Sequence, residues 1–208
     1  MTALVIPVGS YEQHGPHLPP DTDSIIATHI ATAIVNLIPD LMLGPVITVS
    51  ASGEHAGFAN TLSIGSEALT TILVELIRSA DWSDGVILVN GHGGNERAIS
   101  TAIDIATSEG RRAVAWFPRL ADGDPHAGHS ETSIMLAIDP VNVRMLRAEA
   151  GNTAPLVELM PRIIEGGIKS VSHNGVLGDP TLATREEGRE ILGGLIVDAV
   201  RTVENWMQ

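Results

Sequence analysis

The chain contains no cysteine. That absence excludes disulfides, thiolate metal ligands and a cysteine nucleophile, so any metal must be held by His, Asp, Glu or water. Positive charge is scarce: 12 Lys and Arg stand against 25 Asp and Glu, for a formal charge of −13. A surface so acidic is unsuited to nonspecific binding of nucleic acid or of an anionic membrane. No apolar run approaches the ~20 residues that a membrane helix requires. A basic leader with a small-residue cleavage site is also missing. The chain instead enters the apolar run Leu4, Val5, Ile6, Pro7, Val8 directly, which predicts no secretory signal and a cytoplasmic location. Neither an internal repeat nor a linker divides the 208 residues, so residues 1–208 are expected to form one domain with ample apolar content for a core.

What is present is an alternation of short apolar runs and helical patterns. Residues 4–8, 85–90 and 113–117 read as buried strands, and the stretch 45–50 is β-rich. Helical spacing marks residues 24–38, 67–80, 95–109 and 130–138, the last with Ser130 as an N-cap. His29 falls on the apolar face of the first of these and is expected in the core. Near the carboxyl end, Thr184 and Glu187 form a capping box ahead of the stripe Ile191, Leu192, Leu195, Ile196, Ala199, Val200, Val203. Strands that are apolar throughout and alternate with helices predict a three-layer α/β/α fold with a mostly parallel sheet. Residues 149–182, rich in Gly, Pro and Asn, are the least regular stretch and read as a lid or a subunit contact.

The run 9–23, Gly-Ser-Tyr-Glu-Gln-His-Gly-Pro-His-Leu-Pro-Pro-Asp-Thr-Asp, carries two carboxylates, Glu12 and Asp23, and two imidazoles, His14 and His17, in a loop stiffened by three prolines. In an extended segment residues i and i+2 point the same way, so Glu12 and His14 can converge, and the Pro-rich turn can return Asp23 to them. Nitrogen and oxygen donors aimed at one point are what a divalent transition metal requires. His17 reads as a supporting donor or a loop residue. Two more polar clusters follow strands: Asn90-Gly91-His92-Gly93-Gly94-Asn95, and residues 124–131 with His126, His129 and Glu131. In open α/β sheets ligands collect at the carboxyl ends of strands, where all three clusters fall. The glycines around His92 permit close backbone approach to a ligand, but the turn lacks the Lys-Ser/Thr of a phosphate-binding loop.

These residues resemble the creatininase family. The resemblance includes Gly53-Glu54-His55-Ala56-Gly57-Phe58 leading to Thr61-Leu62-Ser63-Ile64, and His126-Ala127-Gly128 followed by Glu131-Thr132-Ser133, in the expected order and over most of the chain. It implies a metal-dependent amide hydrolase with an α/β fold, commonly a homo-oligomer. Position by position, it implies metal ligands at Glu12, His14, Asp23, His92 and Glu131, with Asp23 bridging where two ions bind, and proton transfer by His126. Substrate contacts are expected at Glu54, His55, Gly93 and Gly94, and His129, which has no firm counterpart in the family, is expected to line the pocket. Two departures stand out. Creatinine-hydrolysing members carry Glu at the position of Gly94, which leaves Glu131 as the last ligand, and Ala59-Asn60 replaces a more usual Pro-Gly.

Within the family, residues 151–156 and 174–180 are similar to the mycofactocin-system branch. That similarity implies a peptidase that removes a carboxy-terminal Val-Tyr-derived dipeptide from a modified precursor peptide. A small cyclic amide or a formamide is the rival substrate, and a metal-binding protein without turnover the rival class. One or two divalent ions per subunit are expected, and His plus carboxylate suits zinc, iron(II) and manganese alike.

Overall fold

The computed structural model describes residues 2–120 and 123–208. Four parallel strands, β1 (Ala3–Val8), β2 (Leu41–Leu43), β3 (Val86–Asn90) and β4 (Ala113–Trp116), form a sheet in the order β2-β1-β3-β4. The in-register pairs Val5↔Ile87 and Ile6↔Leu88 show how the pleat sorts side chains. Ala3, Val5, Ile87 and Val89 enter one apolar cluster, whereas Ile6, Val8, Val86 and Leu88 enter another on the opposite face.

The first face is covered by α1 (Thr22–Leu37), α4 (His129–Ile138) and α6 (Arg185–Met207), through Ile30, Ile34, Met135, Leu195 and Ala199. The second is covered by α2 (Gly65–Ser79) and α3 (Glu96–Ser108), through Leu69, Leu73, Ile99 and Ala102. Helices on both faces explain why the strands are apolar throughout, and they give the expected α/β/α layers. A smaller cluster of Leu159, Ile163, Ile168 and Leu177 lies under α5 (Leu156–Gly166), a helix with Pro161 inside it, within the stretch expected to be irregular. No helix among the described residues is long and apolar enough to cross a membrane.

Several expectations are corrected. The strand partner of β1 on its outer side is Leu41–Leu43, and residues 45–50 make only single bridges, from Ile47 to Val8 and from Ser50 to Ser63. Pro45 offers no N–H for a longer ladder. α1 starts at Thr22, two residues earlier than its apolar spacing predicts, which puts Asp23 in its first turn. His29 is on the exposed side of α1, not in the core. Gly128, not Ser130, caps α4. At α6 only half of the capping box forms: Thr184 Oγ1 accepts from Glu187 N, but Thr184 N donates to Ser133 Oγ.

Candidate metal centre

The strand order reverses direction between β1 and β3, and the crevice beyond their carboxyl ends is where such sheets hold ligands. Glu12 and His14 leave β1 into it, His92 leaves β3, and Asp23 and Glu131 enter from the first turns of α1 and α4. Two glycines make this convergence possible. A Cβ on Gly9 would lie 2.3 Å from Ser24 Oγ, and one on Gly91 2.4 Å from the main-chain oxygen of Asp23. Any larger residue would push the start of α1 off the strand ends and carry Asp23 away.

Asp23 stands at the middle of the arrangement. Its Oδ1 is 3.2 Å from His14 Nε2, and its Oδ2 is 3.3 Å from His92 Nδ1 and accepts from Ser10 Oγ at 2.7 Å. Glu12 Oε1 lies 3.1 Å from His92 Nδ1, 3.2 Å from His55 Nε2 and 3.8 Å from His126 Nδ1. Despite this proximity neither Glu12 oxygen makes a hydrogen bond among the described residues, and both are sealed from water. Imidazole and carboxylate donors crowded this closely converge on a common point between them. Among the described residues three groups have the spacing to hold a metal ion: Glu12, Asp23 and His92; His14, Asp23 and Glu131; and Glu12, His14 and His126. The donor set, hard carboxylates with imidazole and no thiolate, fits a divalent ion.

The ring nitrogens agree with this. His14 Nδ1 donates to the main-chain carbonyl of Glu12 at 3.0 Å, which leaves Nε2 for the cluster. His92 Nε2 donates to the Ala51 carbonyl at 3.0 Å and stands 3.2 Å from Glu54 Oε1, which leaves Nδ1. Such outer partners fix the orientation of a metal-binding imidazole. Burial alone would lower the pKa of His14. The charge of Asp23, joined by Glu131 and Glu12, overrides it and raises His14 to about 10. Burial acts the same way on His92, and Glu12, Asp23 and Glu54 hold that ring well above its ordinary value. Asp23 resists its own burial through His14 and His92 and stays well below the usual carboxylate range. Glu131 is raised by burial, and its Oε2 accepts from Ala127 N while standing 4.0 Å from His14 Nε2. Ala127 takes a positive φ of 51°, a strained conformation that aims this amide. The site draws positive charge to itself, as protons or as a cation.

Around the donors lies a cavity of about 830 Å³. Asp23, His92, His126 and Glu131 reach its floor, Glu54, His55, Gly93 and Gly94 line its side, and Leu156, Met160 and Ile164 of α5 form an apolar wall. His129 lies elsewhere: its Nε2 is 3.1 Å from Glu187 Oε2, and it faces a separate hollow with Asp124 and Asp179. His17 is buried, bonded to Thr132 Oγ1 at 2.8 Å and lowered to about 4 by burial and by His14. His173 is exposed beside a second cavity of about 420 Å³. Two features escape the sequence reading. The α5 wall is legible only as the four-residue spacing 156, 160, 164. The buried Gln13, whose amide touches both His55 and His126, has no sequence signal beyond its place between Glu12 and His14.

Comparison with known proteins agrees with this geometry. A family model described as "Creatininase: Creatinine amidohydrolase" matches residues 1–203. The chain is 49% identical over 216 residues to a "Mycofactocin precursor peptide peptidase" of Mycobacterium tuberculosis, covering 99% of this chain and 86% of that protein. It is 47% identical over 213 residues to a protein of the same description from Mycobacterium ulcerans, covering 98% and 85%. A crystal structure of creatinine amidohydrolase (creatininase) shares the fold with a TM-score of 0.82 at 24% identity, covering 98% of this chain and 90% of that one.

Proposed function

Because this chain belongs to the creatininase family, we propose that it is a metal-dependent peptidase that removes a carboxy-terminal Val-Tyr-derived dipeptide from a modified precursor peptide in mycofactocin biosynthesis. The observation that carries the metal reading is the shared carboxylate of Asp23 between two donor groups, beside a buried Glu12 whose oxygens make no hydrogen bond among the described residues. Glu12, Asp23 and His92 would hold one ion, and His14, Asp23 and Glu131 a second, with zinc, iron(II) or manganese as the ion. A bound divalent ion supplies polarisation of the scissile carbonyl and acidification of a water molecule.

The chain's own residues do the rest. His126 is buried, and burial together with the charge of His14 lowers it to about 4, so it is a neutral imidazole able to take a proton and deliver it to the leaving amine. Glu54, His55, Gly93 and Gly94 flank the approach of the scissile amide, and the α5 wall excludes water and receives apolar side chains of the peptide. Residues 1–208 act as one domain in the cytoplasm. Exposed Val141, Leu146, Leu182 and Val197 suit contacts between subunits of a homo-oligomer.

The test incubates protein reconstituted with zinc, iron(II) or manganese with the modified precursor peptide and, separately, with creatinine. Mass spectrometry is expected to show loss of the terminal dipeptide, with no creatinine turnover. A peptide left intact under every metal would overturn the peptide assignment, and turnover of creatinine would move the substrate to the small cyclic amides.

A further inference from the structure

The side chain of Gln13 is buried, and its orientation is set by two main-chain groups. Its Oε1 accepts from Gly15 N at 2.9 Å, and its Nε2 donates to the Gly175 carbonyl at 3.1 Å. Turning the amide over would set N–H against N–H at Gly15 and oxygen against oxygen at Gly175, so only one orientation satisfies both. With one amide hydrogen spent on Gly175, the other goes to His55 Nδ1 at 2.9 Å. An accepting Nδ1 on a neutral ring requires the proton of His55 to sit on Nε2, the atom 3.2 Å from Glu12 Oε1.

The same residue acts on His126. Its Nε2 lies 2.8 Å from the Gln13 main-chain carbonyl and 3.1 Å from the Gln13 amide nitrogen. The amide has no hydrogen left for it, and the carbonyl can only accept, so His126 Nε2 carries a proton and donates. Its Nδ1 is then bare and faces the donor cluster, 3.8 Å from Glu12 Oε1. Each ring has one nitrogen committed by Gln13, His55 Nδ1 as an acceptor and His126 Nε2 as a donor, so a single proton on Nε2 of each ring satisfies these contacts.

We infer that Gln13 is a positioning residue that sets the tautomers of two imidazoles at once, presenting His126 to the site as a proton acceptor through Nδ1 and His55 as a hydrogen-bond donor through Nε2. Both rings line the same cavity, so one amide supplies it with one acceptor and one donor from otherwise equivalent side chains. Glutamine suits the task because it alone offers a donor and an acceptor at the required reach. The inference rests on the site proposed above, yet it concerns proton positions that can be read without turnover.

The deciding measurement is long-range ¹⁵N–¹H NMR of the imidazoles in zinc-loaded protein labelled at histidine, with His55→Asn and His126→Asn used to assign the signals. Both rings are expected as Nε2–H tautomers, and an Nδ1–H signal from either overturns the inference whatever the protein does to peptide. Gln13→Glu keeps the shape but turns the donor into an acceptor, so a proton should appear on His55 Nδ1. With the precursor peptide, kcat should fall by about 100-fold or more while KM changes little. A Gln13→Glu protein whose His55 remains purely Nε2–H also overturns the inference. The wild-type spectrum decides the matter even where that variant fails to fold.

Discussion

Neutralising Glu12 should make the metal-free protein less stable and weaken its response to metal. Glu12 is fully buried, and its Oε1 stands 3.1 Å from His92 Nδ1, the ring that, despite its burial, Glu12, Asp23 and Glu54 hold well above its ordinary pKa. Removing one partner of a buried charge pair costs about 3–5 kcal/mol. Glu12→Gln keeps the volume and removes the charge, so it should lose about that much in the absence of metal. For a chain of this length that corresponds to a fall in Tm of roughly 6–20 °C. Metal widens the gap, because an ion at ~1,000 times its dissociation constant contributes about 4 kcal/mol to the folded state, a contribution the variant forfeits. The assay is a pair of thermal melts for each protein, one with chelator and one with excess zinc. A Glu12→Gln protein that melts as high as wild type in chelator would refute the reasoning. It would mean that Glu12 and His92 do not act as a charge pair in the metal-free protein.

Proton release should accompany metal binding. Metal-free His14 is raised to about 10 and His92 well above its ordinary value, so each carries an extra proton near neutrality, and filling both donor groups should displace about two protons, one for each group. Calorimetry of zinc binding in buffers of different ionisation enthalpy would count them, and a count near zero would refute the charge assignment. The sign for stability follows from the same shift. The folded pKa of His14 lies above its unfolded value of 6.5, so its contribution to the metal-free protein is complete below 6.5 and lost as pH rises through about 10. Gly91→Ala should cost about 1–3 kcal/mol in chelator melts, because its Cβ has no room beside the main-chain oxygen of Asp23. It should also weaken zinc binding in a chelator competition. Unchanged zinc affinity would show that α1 can shift without moving Asp23.

The parts legible in the sequence are those with a strong local pattern. β1 and β3 are unbroken apolar runs, and the clusters after them needed only the rule that sites gather at strand ends. β2 is three residues long, too short for any periodicity to register, while the β-rich residues 45–50 begin with a proline and pair only singly. α5 was hidden by its Gly, Pro and Asn surroundings and by Pro161 inside it. His29 satisfied the helical spacing but sits at the margin of the buried face, where a single 100° step decides exposure. Gln13 and Glu54 acquire roles only through partners distant in sequence: Gln13 meets His55 and His126, 42 and 113 residues away, and Glu54 meets His92. No window along the chain contains those encounters.

The two oxygens of Asp23 face different imidazoles, His14 on one side and His92 on the other, and the residue is fixed by the first turn of α1. One carboxylate therefore belongs to both of these donor groups, so two ions held there would not bind independently. The first would draw electron density from the shared group, and the second would meet a less basic ligand. A titration of this protein with metal should follow a linked isotherm, not the sum of two separate ones. Removing the carboxylate, as in Asp23→Asn, should alter both steps of that isotherm together.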